Sequence, residues 1–135
     1  MKFTVKAQGP AKVASQAVIV SVFEGMEPLE GGASSVDAAL SGTLAERLKG
    51  EAFQGKRRQV AILDGRGALP SPRIAVFGLG KKEEFHPGRF REGVAGTVRA
   101  LRDRGVSEAA LSLDPGALPA GPEAIARAAA EGALL

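Results

Sequence analysis

The sequence contains no cysteine and a single histidine. Without cysteine the chain can form neither a disulfide framework nor a thiolate metal site, and this is typical of a reducing compartment, so we expect a cytoplasmic protein. The one histidine, His86, has no second imidazole with which to share a metal, and its position just before Pro87 indicates a residue at a helix start. Cysteine-based and multi-histidine metal sites are therefore excluded.

Aromatic residues and long apolar runs are also scarce. Six Phe are present and neither Tyr nor Trp, so the interleaved aromatics of a single-strand nucleic-acid platform are missing. The longest apolar stretch, residues 17–22, is far shorter than the roughly 20 residues that span a bilayer. Residues 1–6 alternate like a strand and do not resemble a secretion signal. We therefore expect no membrane segment and no secretion.

Length and composition favour one ordinary globular domain over residues 1–135. The chain is 44% hydrophobic and 24% charged, well away from the composition of disordered proteins. The net charge of +3 predicts a mildly basic surface, without the dense Lys and Arg blocks of a dedicated nucleic-acid binder.

Hydrophobic patterning predicts five strands. Residues 2–7 alternate, which indicates a half-exposed strand whose pairing partner follows soon in the chain. Residues 17–23, 60–63 and 74–77 are nearly continuous apolar runs, typical of strands covered on both faces in a mostly parallel sheet. A further short strand is predicted over residues 109–113, and residues 64–72, rich in Gly and Pro, read as a loop.

Helical spacing appears between these strands. The first helix is predicted from four apolar residues spaced four apart: Val36, Leu40, Leu44 and Leu48. Ser34 and Asp37 form a capping-box pattern at its start, and Gly50 is the predicted left-handed stop. A second helix is predicted from Pro87 to the stop at Gly105, and a third, rich in alanine, from Pro122. This order predicts an α/β sandwich with a mixed sheet.

The predicted third helix finishes on apolar residues, Ala133, Leu134 and Leu135, where natural termini are usually polar. We interpret this end as a cut through a longer polypeptide. The alternative is that both leucines pack against the sheet.

Two glycine-rich segments imitate phosphate-binding motifs. Residues 50–56 match the first seven positions of a P-loop, but Arg57 replaces the required Ser or Thr, and the order of helix and strand is reversed. Gly78 and Gly80 match the first two glycines of the dinucleotide-binding fingerprint G-x-G-x-x-G, but Glu83 stands in place of the third glycine. We interpret both segments as tight turns. The alternative is that their amides, beside basic side chains, meet an anion.

Catalytic groupings are absent. No serine lies in a nucleophile elbow, and a triad would have to use His86. Asp64 and Asp114, at the ends of predicted strands, are the only pair of acids in plausible places, and two carboxylates do not make a two-metal hydrolase site. We predict no catalytic and no metal-binding residue in this chain.

Residues 73–85, Arg-Ile-Ala-Val-Phe-Gly-Leu-Gly-Lys-Lys-Glu-Glu-Phe, resemble the N-terminal domain of the leucyl aminopeptidase (cytosol aminopeptidase) family, where an apolar strand runs into a Gly-Leu-Gly-Lys turn. Three other segments are similar to the family in the same order. They are the helix around Asp37 with the Phe-Gln-Gly-Lys exit at residues 53–56, the Phe-Arg-Glu-Gly-Val-Ala-Gly helix at 90–96, and Ala-Glu-Gly-Ala-Leu-Leu at 130–135. The likeness covers essentially the whole chain.

The resemblance implies a macro-domain-like three-layer sandwich and a parent metallopeptidase that removes N-terminal residues from peptides. It implies two divalent metals, Zn or Mn, held by Lys, Asp and Glu of a following catalytic domain, so no family site residue maps onto this chain. Family members form hexamers in which this domain contributes to subunit contacts, and some bind DNA. The chain is therefore expected to dock on its own catalytic domain and on other subunits.

Two alternatives stay open, a free-standing module for a nucleotide or ADP-ribose and a weak DNA-binding domain. Both would use the basic turns, at Lys56, Arg57, Arg58, Gly78, Gly80, Lys81 and Lys82. Arg99, Arg102 and Arg104 on the second predicted helix would add to the DNA contacts.

Overall fold

The computed structural model describes residues 2–6, 9–25, 28–113 and 117–134. Within these ranges the strands are β1 (Lys2–Lys6), β2 (Ala17–Val22), β3 (Val60–Asp64), β4 (Arg73–Gly78) and β5 (Glu108–Ser112). The α-helices are α1 (Gly31–Ala39), α2 (Leu44–Gly50), α3 (Pro87–Asp103) and α4 (Pro122–Leu134). Two short 3₁₀ helices cover Pro10–Lys12 and Lys82–Glu84.

The described strands form one sheet in the order β1-β5-β2-β4-β3. The pairs of β1 with β5, β5 with β2 and β2 with β4 are parallel, and β3 runs antiparallel to β4 at one edge. The predicted mixed, mostly parallel sheet is confirmed. The predicted nearby partner for the first strand is wrong, because Lys2 pairs with Glu108 of β5 and not with a strand that follows soon.

Helices cover both faces of the sheet, so the three-layer sandwich is confirmed. The side chains of Val18, Val20, Ile74 and Val76 pack on one face with α1 and α2. On the other face, α3 and α4 cover alternate residues of the same strands, among them Ile19, Ala75, Phe77 and Leu111. Central strands that bury both faces carry continuous apolar runs, as predicted.

The strand β3 differs from its prediction. Ala61 and Leu63 are buried, whereas Val60 and Ile62 are only partly covered and Asp64 is exposed. β3 lies at the edge of the sheet, where the helices that cover the second face reach it only in part. The prediction that this run is buried on both faces is therefore wrong.

The predicted first helix is two helices. Ser41 and Gly42 adopt positive φ values of 60° and 79° and break it between α1 and α2. Asp37 lies inside α1, and its carboxylate accepts a hydrogen bond from the Leu44 amide at the start of α2 (3.0 Å). Ser34 is also inside α1, so the predicted capping box is wrong. The four-residue spacing persists across the break because both helices face the same layer of the core.

The predicted stop at Gly50 is also wrong. Gly50 is the last residue of α2, and the left-handed conformation belongs to Ala52, with φ 58°. The second predicted helix is confirmed, since α3 runs from Pro87 to Asp103 and Gly105 follows with φ 78°.

Candidate functional site

The carboxyl ends of β2 and β4, together with residues 28–30 and 117–118, border a crevice of about 190 Å³. The chain leaves β2 toward α1 on one face of the sheet and leaves β4 toward α3 on the other face. Where neighbouring strands send their connections to opposite faces, open α/β sheets bind ligands. Five side chains define what we call the carboxyl-end crevice: Phe23, Leu29, Leu79, Lys82 and Leu118.

Polar groups in this crevice are few. The Lys82 ammonium lies 3.5 Å from the Glu30 carboxylate and 5.6 Å from the centre of the Phe23 ring. Glu24 also lines the crevice. Ser21 forms part of its wall from β2, and the Ser21 Oγ is buried with no hydrogen-bond partner among the described residues.

Three amides of the glycine turn after β4 are already hydrogen-bonded within the chain. The Gly78 N–H donates to the Gln59 carbonyl (2.9 Å), the Leu79 N–H to the Val22 carbonyl (2.9 Å) and the Gly80 N–H to the Gly55 carbonyl (3.0 Å). These three amides are therefore paired as in a tight turn, and an anion contact beside this turn stays a prediction. The physical reason is that the turn at residues 54–59 packs across Gly78, where a Cβ would overlap the Lys56 carbonyl oxygen.

The basic turn itself is held by one side chain. The Gln59 Oε1 accepts hydrogen bonds from the amides of Gln54 (2.9 Å) and Lys56 (3.0 Å), and Gly55 adopts φ 80° between them. Arg57 and Arg58 then reach the same residue of α3. Their Nε atoms each lie 2.8 Å from a carboxylate oxygen of Glu92, so one carboxylate fixes two guanidinium groups.

This turn and the first half of α3 border an open groove of about 670 Å³. Five side chains define what we call the basic groove: Arg57, Arg58, His86, Arg91 and Arg99. With Glu92, its four arginines give a formal balance of +3, equal to the net charge of the whole chain. This surface is therefore strongly basic, although Arg91 also lies 3.9 Å from the Glu131 carboxylate.

The predicted contact residues separate into two places. Arg57 and Arg58 lie in the basic groove, and Lys82 lies in the carboxyl-end crevice. Arg102 and Arg104, which sequence reasoning grouped with Arg99, are not among the residues that border the groove.

His86 and Arg91 were missed as groove residues. The eight-residue spacing of Arg91 and Arg99, which places both on one side of a helix, was the signal that could have found Arg91.

Glu92 has a pKa below its ordinary value of 4.5. The hydrogen bond from Arg57 is the largest cause, partial burial opposes it, and Arg58 adds a second favourable hydrogen bond. The same contact raises the pKa of Arg57. The carboxylate at the rim of the groove therefore stays charged throughout the neutral range.

The described residues contain no group of three or more His, Cys, Asp and Glu side chains that could hold a metal ion. Asp64 accepts a hydrogen bond from the Arg66 amide (2.8 Å), which makes it part of a turn, and Asp114 lies outside the described residues. None of the helices in the described ranges combines the length and apolarity needed to cross a bilayer.

Residues 19–135 match the model of the N-terminal domain of the cytosol aminopeptidase family. The chain belongs to this family. It is 29% identical over 138 residues to a probable cytosol aminopeptidase of Alkaliphilus oremlandii, in an alignment that covers 100% of the chain and 27% of the relative. The chain thus spans about a quarter of that relative's length.

Solved structures show the same fold for this cytosol aminopeptidase domain. The macrodomain of Mycobacterium tuberculosis DarG superposes with a TM-score of 0.73 at 13% identity, covering 96% of this chain and 88% of that one. A mutant of tomato leucine aminopeptidase superposes with a TM-score of 0.69 at 19% identity, covering 98% of this chain and 28% of that one. The fold is macrodomain-like, as the resemblance implied.

Proposed function

We propose that this chain is the non-catalytic N-terminal domain of a cytoplasmic, metal-dependent aminopeptidase, which removes N-terminal amino acids from peptides. In this proposal residues 1–135 form one supporting domain that docks on the catalytic domain and on other subunits of a homo-oligomer. The observation that carries it is the match of residues 19–135 to the N-terminal domain of the family, together with a chain spanning only about a quarter of a full-length relative.

The side chains of the described residues also support a non-catalytic role for this domain. Two divalent metals, Zn or Mn, would need several converging carboxylate and lysine ligands. No three or more acidic or histidine side chains of the described residues come together in this way; Glu92, for example, is paired with Arg57, and Asp64 is part of a turn. We therefore assign the metals and the hydrolytic step to the rest of the parent polypeptide.

Hydrolysis of leucine p-nitroanilide tests the proposal. The chain is incubated with the substrate and either Mn²⁺ or Zn²⁺, beside a full-length cytosol aminopeptidase as the positive control. We expect no release of nitroaniline above the metal-only blank. Turnover by the chain that a chelator abolishes would show that it carries its own catalytic site and would overturn the proposal.

A second function, weak binding of DNA, is favoured by the basic groove. The groove carries a formal charge equal to that of the whole chain, and its arginines border a surface open to solvent. Contacts of this kind to phosphates are sequence-independent and weaken as salt rises. Lys56, which precedes Arg57 in the basic turn, is also exposed and would add a contact.

Fluorescence anisotropy with a labelled DNA duplex tests this second function. We expect Arg99→Ser to weaken binding and to reduce the slope of log affinity against log salt by about 1. Arg102→Ser is the matched control, because Arg102 is exposed on the same helix but lies outside the groove. Equal losses in both variants, or affinity that does not change with salt, would count against the groove as the DNA contact.

A further inference from the structure

We propose that the edge strand β3 is the docking site for an extended acidic segment of a partner protein, which adds to the sheet antiparallel to β3. Acidic side chains at alternate positions of this segment meet the arginines that lie beside β3. The inference goes beyond the aminopeptidase proposal and does not rest on it. The segment covers part of the basic groove, so we expect a bound segment and DNA to exclude each other.

The outer edge of β3 carries free backbone groups. The Gln59 carbonyl accepts a hydrogen bond from the Gly78 amide of β4 (2.9 Å), so the backbone of Gln59 faces β4. Backbone groups alternate in direction along an antiparallel strand, and Val60 and Ile62 therefore turn their N–H and C=O groups away from β4. No described residue bonds to these four groups. The edge is open to pairing at Val60 and Ile62.

Natural edge strands are usually protected, and β3 is not. Native sheets place charged residues, proline or a bulge on their edges, which prevents pairing with other chains. The opposite edge strand of the described sheet, β1, begins with Lys2 and ends with Lys6. Residues 60–63 of β3 are Val-Ala-Ile-Leu, with neither a charge nor a proline. An apolar edge of this kind indicates a strand that another polypeptide covers.

The open stretch has defined ends. Arg58 adopts a left-handed conformation with φ 73°, so the extended strand begins after it. At the other end, the Arg47 guanidinium of α2 donates a hydrogen bond to the Asp64 carbonyl (2.8 Å). Pairing is thus confined to the backbone groups of Val60 and Ile62. This length suits a short extended segment.

The side of this edge that faces α3 is basic. The half-buried side chains of Val60 and Ile62 pack toward α3. Arg99 of α3 borders the basic groove beside Val60, and Arg73 and Arg104 border a second hollow, of about 340 Å³, beside Ile62. In an added strand, the side chains directly opposite Val60 and Ile62 lie on this same face. Carboxylates at these positions would reach the guanidinium groups.

Charge also selects the partner. The carboxylates beside this edge are engaged within the chain, because Glu92 holds Arg58 (2.8 Å) and Asp64 accepts from the Arg66 amide (2.8 Å). Pairing of β3 with β3 of a second copy would bring two basic grooves together, and like charges across an interface are unfavourable. An acidic partner supplies the opposite sign. Addition of an extended segment to a sheet edge is a common mode of peptide recognition.

Fluorescence anisotropy with a labelled hexapeptide, Glu-Val-Glu-Val-Glu-Val, tests the site. In the antiparallel arrangement the glutamate residues lie opposite Val60 and Ile62, so their N–H groups bond to β3 and the valine N–H groups face solvent. We expect N-methylation of the glutamate nitrogens to abolish binding. N-methylation of the valine nitrogens is the matched control and should leave the affinity unchanged. Replacing the glutamates with glutamine should weaken binding about tenfold, because the exposed ion pairs are lost.

Hydrogen exchange of the ¹⁵N-labelled chain locates the bound peptide. In the free chain the amides of Ala61 and Leu63, which face β4, are expected to be protected, and those of Val60 and Ile62 are expected to exchange rapidly. Saturation with the unmodified peptide should protect Val60 and Ile62 as well.

A pair of variants tests the charge contribution. Arg99→Ser is expected to weaken binding of the unmodified peptide about threefold, the effect of one exposed ion pair. Arg102→Ser is the control, because Arg102 is exposed on the same helix but does not border the groove, and its affinity should match that of the wild type.

Three results would overturn the proposal. The first is no binding of the unmodified peptide at millimolar concentration. The second is equal affinity for the two methylated peptides, which would mean that charge alone attracts them, as it would attract DNA. The third is protection of Val60 and Ile62 in the free chain that rises with protein concentration, which would identify a second copy as the occupant. Because N-methylation changes only the peptide, failure here is distinct from failure of the DNA proposal.

Discussion

Gly93 on α3 lies directly over the ring of Phe77 on β4, so closely that a methyl group on this glycine would overlap the ring. Phe77 is fully buried and is held from the side by Phe90, with ring centres 5.4 Å apart. Moving the ring aside would displace the residues packed around it. The distance between helix and sheet on this face is therefore set by the absence of a side chain at residue 93.

Gly93→Ala is expected to destabilise the protein. Alanine favours a helix over glycine by about 1 kcal/mol, but overlap in a packed core costs about 1–3 kcal/mol, so we expect a net loss near 1 kcal/mol. Gly96→Ala is the control, because a Cβ there meets open space and should stabilise the same helix by about 0.5–1 kcal/mol. Urea unfolding measures both. A stabilised Gly93→Ala variant would show that the ring can move.

Asp37→Ala is expected to lower the free energy of unfolding by about 1 kcal/mol, because the Leu44 amide at the start of α2 loses its acceptor. Ser34→Ala, which removes the residue that the sequence pattern favours as the cap, is expected to change it by less than about 0.5 kcal/mol. The same urea measurement compares them, and a larger loss in Ser34→Ala would contradict the observed cap.

Glu92→Gln is expected to remove a stabilisation that depends on pH. The folded pKa of Glu92 lies below 4.5, so its contribution is complete above the unfolded pKa and is lost as the pH falls through the folded pKa. At pH 7 we expect a loss of about 0.5–1 kcal/mol, since Glu92 is partly solvent-screened. The difference between variant and wild type should vanish in acid.

Glu51→Gln provides the control for this pH dependence, because Glu51 is exposed and has no ion pair among the described residues. Thermal unfolding from neutral pH down to the acid limit of stability measures both variants. A Glu92→Gln deficit that persists unchanged in acid would assign the effect to packing and not to the two arginines.

Ser71→Ala is expected to cost about 2 kcal/mol. The Ser71 hydroxyl is fully buried, donates to the Val13 carbonyl (2.7 Å) and accepts from the Ser15 amide (3.1 Å), so its loss leaves two backbone groups without a partner. Ser107→Ala, at an exposed hydroxyl, should change stability by less than about 0.5 kcal/mol. If Ser71→Ala lowered the free energy of unfolding as little as Ser107→Ala does, a water molecule would be replacing the Ser71 hydroxyl.

The sequence predicted the fold best where burial is most complete. The central strands β2 and β4 are covered on both faces, so their side chains had to be apolar and their runs were visible. The ends of α3 were equally readable, because Pro87 and Gly105 have backbone preferences that suit a helix start and stop. In these places the local sequence alone was enough to predict the secondary structure.

Features that depend on distant partners were not predictable in this way. Asp37 caps a helix that begins seven residues later, across a break that leaves the apolar spacing intact. Arg57 and Arg99 meet in one groove only after the turn at residues 54–59 packs against β4 and α3. Only the folded chain shows that the Ser21 hydroxyl of β2 is buried without a hydrogen-bond partner among the described residues.

The pairing of β1 with β5 has a consequence for the order of folding. Lys2 pairs with Glu108, so β1 has no hydrogen-bonding partner among the described strands until β5 has been synthesised. Pairing across such a sequence separation is slow, because a long loop must close before any contact forms. The sheet should therefore assemble outward from β2 and β4 and close at β1 last. In pulse-labelled hydrogen exchange, the amides of β1 should be the last in the sheet to gain protection.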